Sequence, residues 1–212
     1  MFSVIFDMDG TLLDTQRICI PAWDHAGNKQ GFKGVGEHIR RVCGMNEAGW
    51  TRYLEDNFPG MDTVLFKREM RDYIIKNGVV RFKEGAEELL KFLKEKGIKI
   101  AIASGSSRES INHHLKEVGA DGCFDALVGG RDVEKGKPFP DIFLKVAELI
   151  SADPKDCFVI EDSSNGIRAG YAAGMKCIGV PDIAPFEDGV KGMIFKESKN
   201  LLEVIDVLKD YI

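Results

Sequence analysis

Asp7 and Asp9 stand two residues apart at the end of an apolar run, inside the stretch VIFDMDGTLLDT. Carboxylates this close repel one another unless something neutralises them, and a bound cation is the obvious candidate. Other groups able to do chemistry also follow apolar runs: Ser104, Gly105, Ser106 and Ser107 come after IKIAIA, and Glu161 and Asp162 come after DCFVI. Lys137 is held between a glycine and a proline in GKPFPD.

Periodicity shows the elements that must position these residues. Short runs rich in Val, Ile and Phe recur at 2–6, 98–103, 123–128, 156–160 and 176–180. None alternates strictly with polar residues, which suits strands buried on both faces of a parallel sheet. Helical spacing separates them: Ala86, Leu89, Leu90 and Leu93, closed by Gly97; Ile111, Leu115 and Val118, closed by Gly119; then Phe143, Val146, Ala147 and Ile150. Strand alternating with helix predicts a doubly wound α/β parallel sheet, whose ligands bind outside the carboxyl ends of the strands. The carboxylates, hydroxyls and lysine therefore converge on one edge. Residues 15–82 break the rhythm with helical signals alone: Trp50, Tyr53 and Leu54, then Phe66, Met70, Tyr73 and Ile74, with Asp62 as N-cap. We expect a core of residues 1–14 and 83–212 carrying a helical insertion over 15–82.

With 212 residues, 44% of them hydrophobic, the chain has the make-up of a folded globular protein. Lys and Arg number 29 against 34 Asp and Glu, a formal charge of -5, and no basic run would track a phosphate backbone. That argues against nucleic acid as a partner. Cys19, Cys43, Cys123, Cys157 and Cys177 show no CxxC pair and read mostly as small buried hydrophobes, not as a zinc site or disulfide framework. No apolar run approaches the roughly 18 residues of a membrane span, and no basic leader with a cleavage pattern opens the sequence. The expected location is cytoplasmic.

DMDGT at residues 7–11, Ser104 after a strand, Lys137 before a proline, and EDSSNG at 161–166 occur in the order of the haloacid dehalogenase superfamily, which the chain resembles over nearly its whole length. The insertion resembles that superfamily's C1 cap. The KPFPD and EDSSNG forms resemble the branch containing sugar phosphatases and β-phosphoglucomutase. The resemblance implies that Asp7 is the nucleophile taking the phosphoryl group and that Asp9 is general acid, then base. It implies Mg2+ bound by the Asp7 carboxylate, the Asp9 main-chain carbonyl and the Asp162 carboxylate, with Glu161 holding a metal-bound water. Ser104, the Gly105 N–H and Lys137 would hold the phosphoryl oxygens.

Plainer readings stand beside these. A lone aspartate at a strand end is usually a helix cap or turn residue; Ser104 and Ser106 alone could start a helix, and a lone Lys137 would be a solvated lysine. His113 and His114, in mid-helix, read as ordinary histidines. Trp23 and Trp50 read as packing residues of the insertion, with the cleft as the alternative for Trp23. Dehalogenation uses the same nucleophile but needs neither metal nor Asp9, and a module without turnover would lack a motif residue, whereas none is missing. Where mutases place a cap histidine this chain has Cys19, and near their phosphate-gripping arginine it has Glu47. A neutral thiol binds phosphate poorly and a carboxylate repels it, which leaves Arg40 or Arg41 to compensate in a mutase. The expected reaction is hydrolysis of a small phosphorylated metabolite, a sugar or polyol phosphate, with a phosphosugar mutase as the alternative. No motif bears on oligomeric state.

Overall fold

The computed structural model describes residues 2–212; Met1, first residue of the expected core, lies outside them. Among these residues one parallel sheet contains β1 (Ser3–Phe6), β2 (Lys99–Ala103), β3 (Ala126–Val128), β4 (Cys157–Glu161), β5 (Lys176–Gly179) and β6 (Ile194–Glu197). The strand order is β3-β2-β1-β4-β5-β6. Helices α1 (Gln16–Asn28), α2 (Ile39–Val42), α3 (Glu47–Asn57) and α4 (Thr63–Asn77) come early in the chain, and α5 (Ala86–Glu95) leads into β2. Helices α6 (Arg108–Glu117), α7 (Asp141–Leu149), α8 (Ser164–Ala172) and α9 (Leu201–Lys209) complete the layers.

β1 lies between β2 and β4 and is buried along its length, so SVIF can carry no charge. Successive side chains point to opposite faces. Val4 and Phe6 share one apolar cluster with Leu89 and Leu93 of α5, while Ile5 shares the other with Phe143 of α7 and Ile167 of α8. Two elements depart from the periodicity. β3 starts at Ala126, because Asp125 folds back on β2: its N–H donates to the Ile100 carbonyl and its carboxylate accepts the Ile100 N–H, both at 2.8 Å. β6 was not expected at all, since its sequence IFKE has three exposed residues and offers no apolar run.

The early helices enclose an apolar cluster of their own, containing Trp23, Leu54 and Phe66. The Trp23 ring lies 5.4 Å from that of Phe66 and 5.6 Å from that of Trp50, so Trp23 packs in this core. Asp62 caps α4 by accepting the Val64 and Leu65 N–H groups. The segments entering and leaving these helices run side by side: Leu13 pairs antiparallel with Phe82, the Asp14 N–H donates to Arg81 O, and the Lys83 N–H donates to Leu12 O. Asp182, after β5, braces both, accepting Lys83 Nζ at 2.6 Å with Arg17 Nη2 3.8 Å away. All five cysteines are free; Cys157 and Cys177 are buried, whereas Cys19, Cys43 and Cys123 are only half-buried. Among the described residues no helix is long and apolar enough to cross a membrane.

Candidate active site

Strand register assembles the site. Phe6 pairs with Ile102 on one side and with Ile160 on the other. Just past that row come Asp7, then Ser104, Glu161 and Asp162, so three distant segments deliver polar groups to one edge. Gly10, at φ +91°, turns the chain away immediately afterwards.

Lys137 reaches this edge with a fully buried side chain, and its Nζ donates to Asp7 Oδ1 at 2.5 Å and Glu161 Oε1 at 2.6 Å. The second oxygen of Glu161 accepts the Ser163 N–H at 2.7 Å and the Ser163 hydroxyl at 2.9 Å. The Glu161 carboxylate rests on Gly166, where a Cβ would overlap it, which explains the glycine that ends EDSSNG. Asp162 accepts the Thr11 hydroxyl at 3.0 Å and the Gln16 amide at 2.7 Å. That amide nitrogen also donates to the Asp9 main-chain carbonyl at 2.8 Å. The Asp9 carboxylate accepts hydroxyls from Thr15 at 2.7 Å, Ser104 at 3.1 Å and Ser106 at 2.8 Å. Ser107, not Ser104 or Ser106, caps α6, which leaves those two hydroxyls to Asp9.

Asp7, Glu161 and Asp162 bring carboxylate oxygens within 4.8 Å of one another. Burial raises the Asp7 carboxyl to about 8; the Lys137 ammonium opposes this, while Glu161 and Asp9 add to it. Asp162 is raised by burial, then by Glu161 and Asp7. Burial disfavours the Lys137 ammonium, but Asp7 and Glu161 outweigh that and raise its pKa, so it stays charged. Three buried carboxylates thus face one ammonium. An all-oxygen donor set that, once ionised, would carry two surplus negative charges fits a hard divalent cation. Gly10 leaves space beside it, since a Cβ there would lie 2.7 Å from Asp162 Oδ2.

The early helices close over this edge through the turn before α3. A Cβ on Gly105 would approach Met45 O to 2.7 Å, and one on Gly136 would approach Asn46 Nδ2 to 2.6 Å, so bare backbone admits the turn. Asn165 Nδ2 donates to Cys43 O at 3.1 Å, and Arg131 Nη2 pairs with Glu47 Oε2 at 2.7 Å. Asp7 is left 3% exposed.

All the residues singled out in the sequence, Asp7, Asp9, Ser104, Gly105, Lys137, Glu161 and Asp162, lie at this edge. Ser106, named beside Ser104 in the sequence, donates to Asp9; Thr15, Gln16 and Asn46 have no place in the sequence reading, where the only available signal is that Thr15 and Gln16 follow DGTLLD. His113 and His114 instead face Glu117 on α6.

The chain matches the family model for haloacid dehalogenase-like hydrolases over residues 4–180. It is 35% identical over 190 residues to a bifunctional riboflavin kinase/FMN phosphatase of Arabidopsis thaliana, covering 85% of this chain but 48% of that protein. It is 30% identical over 217 residues to a phosphorylated carbohydrates phosphatase of Thermotoga maritima, covering 99% of each. It is 34% identical over 193 residues to the β-phosphoglucomutase of Bacillus subtilis, covering 85% of this chain and 83% of that protein. A solved hydrolase from Pseudomonas syringae shares the fold, with a TM-score of 0.86 over 99% of both chains at 24% identity.

Proposed function

This chain belongs to the haloacid dehalogenase-like hydrolase family, and we propose that within it the chain is a Mg2+-dependent phosphatase of a small phosphomonoester, a sugar or polyol phosphate, acting in the cytoplasm through a phosphoaspartate on Asp7. The observation that carries this reading is the Lys137 ammonium clamped between Asp7 and Glu161 at the strand edge, with Asp162 beside them. An Asp7 oxygen attacks phosphorus as the bond to the leaving oxygen breaks, and protonated Asp9 gives that oxygen its proton. Asp9, now a carboxylate, then takes a proton from water, whose oxygen attacks phosphorus; the bond to Asp7 breaks and inorganic phosphate departs. Ser104, the Gly105 N–H and Lys137 hold the phosphoryl oxygens.

The cation would be held by the Asp7 and Asp162 carboxylates and the Asp9 carbonyl, and when bound it supplies charge neutralisation between the phosphoryl group and Asp7. Both oxygens of Glu161 are engaged, by Lys137 and by Ser163, so Glu161 serves by holding Lys137 and contacts the cation at most through water. Its support on Gly166 is testable. Gly166→Ala is expected to lower kcat about 100-fold by displacing Glu161 and with it Lys137, and to lower stability, because disturbing that buried pair outweighs the gain of about 1 kcal/mol that alanine brings in helix propensity. Unfolding and steady-state kinetics check both; unchanged kcat would mean that Glu161 does not position the lysine.

Water is the acceptor in this reading because neither Glu47 nor Cys19 is a second phosphate grip, while Arg40 and Arg41, which line a cavity with Asp162 and Ser163, keep the mutase as the alternative. Glu47 is tied to Arg131 at 2.7 Å and to Lys67 at 3.0 Å. Burial and then the Asp9 charge push the Cys19 thiol up to about 12, so it is neutral. A panel of sugar and polyol phosphates with Mg2+, compared by kcat/KM for phosphate release, is expected to give turnover. In that panel, β-glucose 1-phosphate with a trace of the 1,6-bisphosphate should yield phosphate and no glucose 6-phosphate. Efficient glucose 6-phosphate formation would establish the mutase instead.

A further inference from the structure

We infer that Gln16 is an internal stand-in for the cation, and that cation binding, by expelling its side chain, releases the cap turn that Cys43 begins. This rests on the Mg2+ reading above. Gln16 opens α1 and is 6% exposed. Its Nε2 carries two protons, and both are used: one goes to the Asp9 carbonyl at 2.8 Å and the other to Asp162 Oδ2 at 2.7 Å. Those are two of the three oxygens assigned to the cation. The amide fills the space that Gly10 leaves beside Asp162, where a Cβ would overlap the Gln16 amide nitrogen. A donor that bridges two ligand oxygens competes with any cation for them, so the amide must yield when the ion enters.

The other end of the amide is tied to the cap. Gln16 Oε1 lies 3.3 Å from Cys43 Sγ and shares that thiol's single proton with the Ile39 carbonyl, 3.2 Å away. Burial, followed by the charges of Asp162 and Glu161, keeps that thiol protonated and able to donate. Cys43 ends α2 and begins the turn whose Met45 and Asn46 lie over Gly105 and Gly136. One side chain therefore links the cation's oxygens to the turn that closes the site. Its departure removes the Cys43 contact together with the bridge to Asp162.

A merely structural glutamine would lower stability in every state when removed and would not oppose the ion. A stand-in behaves otherwise, because it stabilises only the ion-free form. The test is isothermal titration of the full chain with Mg2+, thermal unfolding with EDTA or with saturating Mg2+, and hydrogen exchange over residues 43–47. Gln16→Ala is expected to bind Mg2+ about 5- to 10-fold more tightly, the scale of one or two net hydrogen bonds. Its Tm should fall in EDTA and match the wild type in Mg2+. Gln16→Asn, one methylene too short to bridge both oxygens, should behave alike. Exchange at 43–47 should rise on Mg2+ addition in the wild type and lose that response in Cys43→Ala. Equal or weaker Mg2+ binding by both Gln16 variants, equal Tm losses in both conditions, or an unresponsive cap turn would overturn the inference alone. A wild type that takes up no Mg2+ would overturn the cation reading itself.

Discussion

Asp7→Asn is expected to reduce phosphate release at least about 10⁴-fold while leaving the folded protein as stable as the wild type, or more so. Losing the nucleophile of a covalent mechanism costs on the order of 10⁴ to 10⁶ in kcat, and nothing else at this edge can replace it. Glu161 is engaged at both oxygens, and the Asp9 carboxylate accepts three hydroxyls. Stability should not suffer, because the carboxamide keeps the shape and its oxygen can still accept from Lys137. The substitution also replaces a carboxyl that burial, with Glu161 and Asp9 adding to it, raises to about 8, so the ionised form it removes is the one the folded state disfavours. Phosphate release under saturating Mg2+ and thermal unfolding in EDTA check the two halves separately. More than about 1% residual turnover in a pure variant would end the assignment of Asp7 as nucleophile.

Lys137→Ala is expected to lose activity by about 10³-fold or more, and here stability should fall as well. The wild-type ammonium is enclosed, with donor bonds to Asp7 and Glu161. Breaking a buried pair from one side typically costs about 3–5 kcal/mol, because the partner charges stay buried without compensation. The cost depends on pH with a definite sign. Without the ammonium the folded-state carboxyls are raised further above their unfolded values, so the folded variant binds more protons than the unfolded chain and loses stability as pH rises through that range. The deficit against wild type in EDTA should therefore be smaller at pH 5 than at pH 8. A pH-independent deficit would mean that the lysine acts through packing, for instance its stem against Phe143, whose ring lies 5.1 Å from Nζ.

Much of this architecture was legible because local physics wrote it. A strand buried on both faces has to be apolar throughout, so β1 announces itself, and two aspartates at its end announce a strand edge with chemistry. Helix ends are satisfied by side chains within a few residues, so Asp62 could be read as the cap of α4 from its neighbours alone. Gly97 and Gly119 close their helices at φ +65° and +71°, a conformation that disfavours side chains and so leaves a mark in the sequence. The strand β6 left no such mark, because only one side pairs and its residues are largely exposed.

What no local signal carries is which distant groups meet. Within EDSSNG the cap is local, since Ser163 caps α8 three residues ahead of Gly166. That the glycine is there for the Glu161 carboxylate depends on how β4 and α8 are oriented. Gln16 carries no local mark of its role, and its bridge to Asp162 spans 146 positions of sequence. Glu47 stands near a phosphate site by resemblance alone, whereas the seating of the early helices turns it to Arg131. The chain by itself determined which segments are buried, which ends are capped and which residues reach one sheet edge, because each of those is decided by a segment and its immediate neighbours. The partners of the buried carboxylates were decided only by strand register and by the seating of the early helices on the sheet. Those are properties of the whole packed chain, in which a buried polar group takes the partner that packing brings within about 3 Å.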